Sequence, residues 1–169
     1  FRLALFLSLL LLAPCSLVWA TEQAEPISPT VLPFQPGEKL VYKLRWGLVT
    51  AGYAELEVLP FEPINGDRSW HFQMTIRTSR FIDVFYKVRD RIESFTDNLL
   101  ANSFIYKKEQ LEGKTHRQVK VVFDPARNTA VYSNWGKEHE PIEIEDGTID
   151  PLAAIYFIRQ HRLAENTEI

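Results

Sequence analysis

Trp70-His71-Phe72-Gln73-Met74-Thr75-Ile76-Arg77 is the stretch that decides the fold. Trp70, Phe72, Met74 and Ile76 fall on one side of an extended chain, and His71, Gln73, Thr75 and Arg77 fall on the other. Period-two alternation marks a strand with one face on a core and the other in water. Upstream, Leu40, Tyr42, Leu44 and Trp46 oppose Lys39, Lys43 and Arg45, and within Ala51–Leu59 Ala54, Leu56 and Val58 oppose Glu55 and Glu57. Asn65-Gly66-Asp67 is the turn that leads into the third run. Three such runs in succession predict antiparallel strands packed on one side.

Downstream the pattern continues less cleanly. Phe81–Ser94 is rich in aromatic and β-branched residues, with Tyr86, Val88, Asp90 and Ile92 on one face. Asn102–Gln110 and Thr115–Phe123 flank the turn-like Glu112-Gly113-Lys114 and read as a hairpin. Asp124-Pro125 ends that hairpin's second strand, and Thr129–Trp135 begins another. The exception is Asp150–Gln160. Asp150 suits the cap of a helix and Pro151 its first position, and Leu152, Ile155 and Tyr156 recur on one face, continued by Arg159. The expected fold class is all-β with one amphipathic helix near residues 150–162 lying on a sheet.

The chain opens Phe1-Arg2-Leu3-Ala4-Leu5 without an initiator Met, so a residue is expected ahead of Phe1. Arg2, the apolar run Leu3–Leu12, Pro14 and Val18-Trp19-Ala20 are the three parts of a secretory signal peptide, cut after Ala20. The run is too short for the roughly 20 apolar residues of a membrane span, so none is expected after cleavage. Pro14 ahead of Cys15 disfavours lipidation, and cleavage leaves a mature chain without cysteine. Pro26, Pro29, Pro33 and Pro36 mark residues 21–36 as a linker. Residues 37–169 then form one β-rich domain, which stops soon after the helix and is expected to continue beyond Ile169. The mature chain carries 18 basic and 22 acidic residues. That balance gives no electrostatic reason to bind nucleic acid.

Four stretches resemble a known family: Phe34–Tyr42, Trp46-Gly47 with Ala51–Leu56, Phe85–Ser94 and Asp150–Tyr156. Together they are similar to the bacterial exported proteins grouped as domain of unknown function 3108. The resemblance implies a curved antiparallel sheet or incomplete β-barrel, in the manner of periplasmic lipoprotein carriers. It also implies the periplasm, or the periplasmic face of the outer membrane, of a Gram-negative bacterium. It brings no catalytic or ligand residue with it.

Asp90 shares its face with Tyr86, Val88 and Ile92, so it is either a site residue with a shifted pKa or half of an ion pair. Arg159 or an arginine on a neighbouring strand would be its partner. Glu55 and Glu57 lie about 7 Å apart on one strand face, a spacing that a polysaccharide hydrolase could use, but alternating Glu on a solvated face is ordinary. His71 and His116 lie on polar faces and are expected in solvent, and the four histidines show no metal-ligand spacing. No nucleophile-elbow, P-loop or dinucleotide motif occurs, and no cofactor is implied. The aromatic residues either fill a core or line a cavity for an apolar ligand. The candidate cavity residues are Tyr42, Trp46, Trp70, Phe72, Tyr86 and Asp90, with no catalytic residue assigned. The leading expectation is a non-enzymatic binding or carrier module for an apolar or amphiphilic envelope component such as a lipid. The alternatives are a protein-interaction module in an envelope assembly and a polysaccharide-acting hydrolase.

Overall fold

A computed structural model describes residues 32–160. Residues 1–20, read as a signal peptide with Cys15 among them, most of the expected linker and the stretch after Gln160 lie outside the described residues. Strands β1 (Lys39–Trp46), β2 (Val49–Ile64) and β3 (Asp67–Thr78) follow the three alternating runs. A short helix α1 (Arg80–Asp83) precedes β4 (Val88–Thr96), β5 (Ser103–Glu112), β6 (Thr115–Asp124) and β7 (Thr129–Asn134). Two-residue strands β8 (Lys137–Glu138) and β9 (Ile142–Glu143) and helix α2 (Pro151–Arg159) complete the order.

All the pairings are antiparallel and run in sequence order from β1 to β8, with β9 also on β7. The sheet is not closed into a barrel: β1 forms one edge and the short β8 and β9 the other. Asn65 and Gly66 both have positive φ, 53° and 91°, as a two-residue hairpin turn of the primed type requires. β2 runs past Leu59, where the alternation ended, to Ile64. It does so through a bulge between Leu59 and Glu62 that accommodates Pro60, which has no N–H for the ladder.

The core lies on the face formed by Leu56 and Val58 of β2, Trp70 and Phe72 of β3 and Ile92 of β4, with Leu152 and Tyr156 of α2 above it. Tyr156 stacks on Phe72 at 3.9 Å between ring centroids. Phe34 meets Trp70, Phe72 and Tyr156 edge-on at 5.2–5.8 Å. The last residues read as linker are therefore part of the domain, with Phe34 buried in its core. Arg159 fastens the far end of α2 to this segment, donating to both Glu38 carboxylate oxygens at 2.6 and 3.0 Å and to the Pro33 carbonyl.

Three local expectations need correction. Phe81–Tyr86 is not strand: it holds α1 and the turn after it, so Tyr86 lies before β4. On α2 the buried residues are Leu152, Ala153 and Tyr156, and Ile155 faces outward. His71 is buried, with Nε2 3.1 Å from Glu93, Nδ1 3.0 Å from Glu62 and its ring stacked on Phe95. Strand alternation sets the face of a side chain, but neighbours on that face set its exposure.

Candidate functional site

Residues directly opposite in an antiparallel pair share a face, so the register builds the helix-side surface row by row. One row runs Leu40, Leu56, Met74, Ile92 and the next runs Tyr42, Ala54, Ile76, Asp90, Gln110. A third begins Leu44, Gly52, Thr78. Helix α2 packs on β3 and β4 and covers the end of this face nearest Phe72. The other end stays open: Tyr42 and Leu44 are each nearly half exposed, and Trp46 at the end of β1 is 84% exposed. Gly52 lets β2 approach β3 closely here, because a Cβ there would sit 2.4 Å from the Arg77 carbonyl oxygen.

Asp90 is the buried acid of the open half. Burial, the largest influence, pushes its carboxyl above the usual carboxylate range, and the neighbouring Glu112 adds to this. A hydrogen bond from the Leu111 N–H at 3.1 Å works the other way. Neither expected cation is its partner. Arg159 is bound to Glu38, and Arg77 of the neighbouring β3 pairs with Glu55 at 3.6 Å. An Asp with a raised folded-state pKa holds stability that is full below its unfolded pKa and lost as pH rises through the folded value. Asp90→Asn is therefore expected to be more stable than wild type at neutral pH, and the gain should vanish as pH falls below about 4. Urea melts at neutral and acid pH would check this; a loss of stability at neutral pH would mean that the ionised carboxylate is needed.

At the end of the sheet beyond Trp46, α1 is clamped. Arg89 donates to both Asp83 oxygens, at 3.0 and 2.5 Å, and holds that carboxyl at about 2. The Thr78 hydroxyl also binds Asp83 and accepts from the Val88 N–H at 3.0 Å. Ser79 caps the helix through the Ile82 N–H. The clamp leaves Phe81, Val84 and Phe85 facing water. Tyr86 lies over the β5–β6 turn, where a Cβ on Gly113 would come within 2.7 Å of its ring.

The candidate cavity residues thus divide. Trp70 and Phe72 lie in the core beneath Phe34 and α2, and Trp70 donates its indole N–H to the Asn98 carbonyl. Tyr42, Trp46 and Asp90 belong to the open half, and Tyr86 lies at the sheet end. Leu44, Ala54 and Ile76 join them; the alternation put all three on this face, but nothing in it separated a covered row from an open one.

The opposite face is polar. Lys39 bridges Glu55 and Glu57 at 2.7 and 3.2 Å, on the side away from Asp90. A hollow of about 400 Å³ there is bordered by Arg91, Glu93, Lys107 and Glu109. Among the described residues no group of three or more His, Cys, Asp or Glu could hold a metal ion, and no helix is long and apolar enough to cross a membrane. Residues 41–169 match the model of a family described as Protein of unknown function (DUF3108). No curated protein and no solved structure matches the chain.

Proposed function

We propose that this chain, which belongs to the DUF3108 family of proteins of unknown function, is an exported module of the bacterial envelope that binds an apolar or amphiphilic component. The setting is the periplasm or the periplasmic face of the outer membrane, a reading that rests on the signal-like residues 1–20. The observation that carries the binding role is the half-covered apolar face. Tyr42, Leu44, Ala54 and Ile76 continue the core's rows past the edge of α2 and leave apolar area in water, a feature that marks binding surfaces. Asp90 and the Tyr42 hydroxyl supply polar groups among them, which suits an amphiphile better than a bare hydrocarbon.

Mass spectrometry of an organic extract of the protein, purified gently from its native compartment, tests this. A stoichiometric lipid is expected, and Leu44→Asp on the exposed strand should lower its amount ~10-fold or more, since an acid would replace apolar contact. A clean wild-type extract would overturn the carrier role. One observation favours a second reading, a protein-interaction module: among the described residues β1 has no strand on its outer side and lies beside a filled core, an edge that another chain's strand could extend. A hydrolase draws less support, because Glu55 and Glu57 are bound to Lys39 on the face opposite Asp90.

A further inference from the structure

Antiparallel strands joined in sequence order place every second connection at the same end of a sheet. Three of the connections at that end are the β1–β2 turn at Gly47-Leu48, the α1 segment between β3 and β4, and the β5–β6 turn at Gly113-Lys114. Hydrogen bonds tie the three together: Ser79 N–H to the Ala51 carbonyl at 2.9 Å, and Gly113 N–H to the Lys87 carbonyl at 2.8 Å. Trp46, Leu48, Phe81, Val84 and Phe85 project from this end and are 62–93% exposed. The α1 segment that carries Phe81, Val84 and Phe85 is held by the Arg89–Asp83 clamp, and Phe81 meets Phe85 edge-on at 5.7 Å.

Cations predominate around them. Arg45, Arg80 and Lys87 flank the apolar residues in sequence, Lys114 lies in the β5–β6 turn at the same end, and among the described residues none of the four makes an ion pair. Of the acids at this end, Asp83 is taken up by Arg89 and Thr78, and Glu112 lies beside Asp90. The chain as a whole is acidic, with a net charge of −3. An apolar, aromatic tip inside a basic rim, on an otherwise acidic protein, has the composition of a surface that enters a lipid headgroup layer. The apolar groups protrude from the β1–β2 turn and from the α1 segment. A fluid interface accepts such protrusions, whereas a folded partner would need a matching pit for each.

We propose that this end of the sheet docks peripherally on an anionic membrane. Leu48, Val84, Phe85 and their aromatic neighbours enter the boundary between headgroups and acyl chains, and the four cations hold anionic headgroups. The inference rests on the envelope setting proposed above, but not on a carried ligand.

Vesicle flotation of the full chain tests it, using phosphatidylethanolamine vesicles with and without phosphatidylglycerol. Wild type should float with the phosphatidylglycerol vesicles and much less with the neutral ones. Leu48→Asp/Phe85→Asp, at exposed positions, should reduce binding ~10-fold or more. Arg45→Glu/Lys114→Glu should do the same for anionic vesicles only. Wild type left at the bottom of the gradient, or both double variants floating as well as wild type, would overturn the proposal. So would light scattering that finds a wild-type dimer which Phe85→Asp dissociates, since the patch would then be covered by a second copy; capture of an acidic protein partner that competes with the vesicles would count against it equally. Organic extracts taken alongside keep the two readings apart. Lost flotation with retained lipid in Leu48→Asp/Phe85→Asp supports docking by the tip, and a wild type that floats with a clean extract overturns the carrier reading alone.

Discussion

Asp150→Ala should cost about 3–5 kcal/mol of folding stability, seen as a large drop in the urea midpoint with little change in slope. Asp150 is 2% exposed and uses both carboxylate oxygens. Oδ1 accepts from the Leu152 and Ala153 N–H groups at 2.9 and 3.0 Å, capping α2. Oδ2 accepts from the Ser94 and Ser103 hydroxyls, each at 2.6 Å. The Asp150 N–H in turn donates to the Ser103 Oγ at 2.8 Å. Loss of the cap accounts for about 1 kcal/mol, and two buried hydroxyls deprived of a charged acceptor account for about 1–2 kcal/mol each. Asp150→Asn retains an oxygen for the cap and a polar group for the serines, so its loss should be smaller, about 1–2 kcal/mol. If Asp150→Ala costs under about 1 kcal/mol, the three-residue cluster does not anchor the helix.

Phe72→Ala should cost a similar amount, about 3–5 kcal/mol, through a cavity instead of lost hydrogen bonds. Phe72 is fully buried, and three rings depend on it: Tyr156 stacked at 3.9 Å, Phe34 edge-on at 5.8 Å and Trp70 stacked at 5.9 Å. These rings come from α2, the N-terminal segment and β3, so collapse into the cavity would require all three to shift. Phe72→Leu fills most of the space and should lose only about 1–2 kcal/mol. Because Asp150 and Phe72 both fix α2 to the sheet, their losses should not add: once one has loosened the helix, the other has less left to remove. A double-mutant cycle that gave simple additivity would mean that the two anchors act on separate units.

Much of the architecture was legible in the sequence because its signals are local. Alternation at Trp70–Arg77 reports the two faces of a strand within a few residues, Asn65-Gly66 can take two positive φ angles, and Asp150-Pro151 satisfies and shapes a helix start. Resemblance to a family over Phe34–Tyr156 agrees with the match over residues 41–169. The stretches that misled were those in which side-chain contacts that alternation does not encode outweigh strand propensity. Phe81–Phe85 has strand-forming residues, yet the Arg89–Asp83 clamp and the Ser79 cap hold α1 there. Phe34 lies in a proline-rich run with no periodicity to read, and only the rings around it show that it is core.

The candidate site follows the same division. By itself the sequence determined that Tyr42, Trp46, Trp70, Phe72 and Asp90 fall on the apolar face, because side chains alternate across a strand whatever else the chain does. Which of them stay open was decided only by where α2 lands. At its start the helix is placed by Asp150, bonded to Ser94 and Ser103, residues 56 and 47 positions away in the chain, and along its length by Tyr156 on Phe72 and Arg159 on Glu38. Those contacts close over Trp70 and Phe72 and leave Tyr42 and Trp46 in water. A helix of nine residues covers only part of a sheet this wide, and its own periodicity cannot say which part.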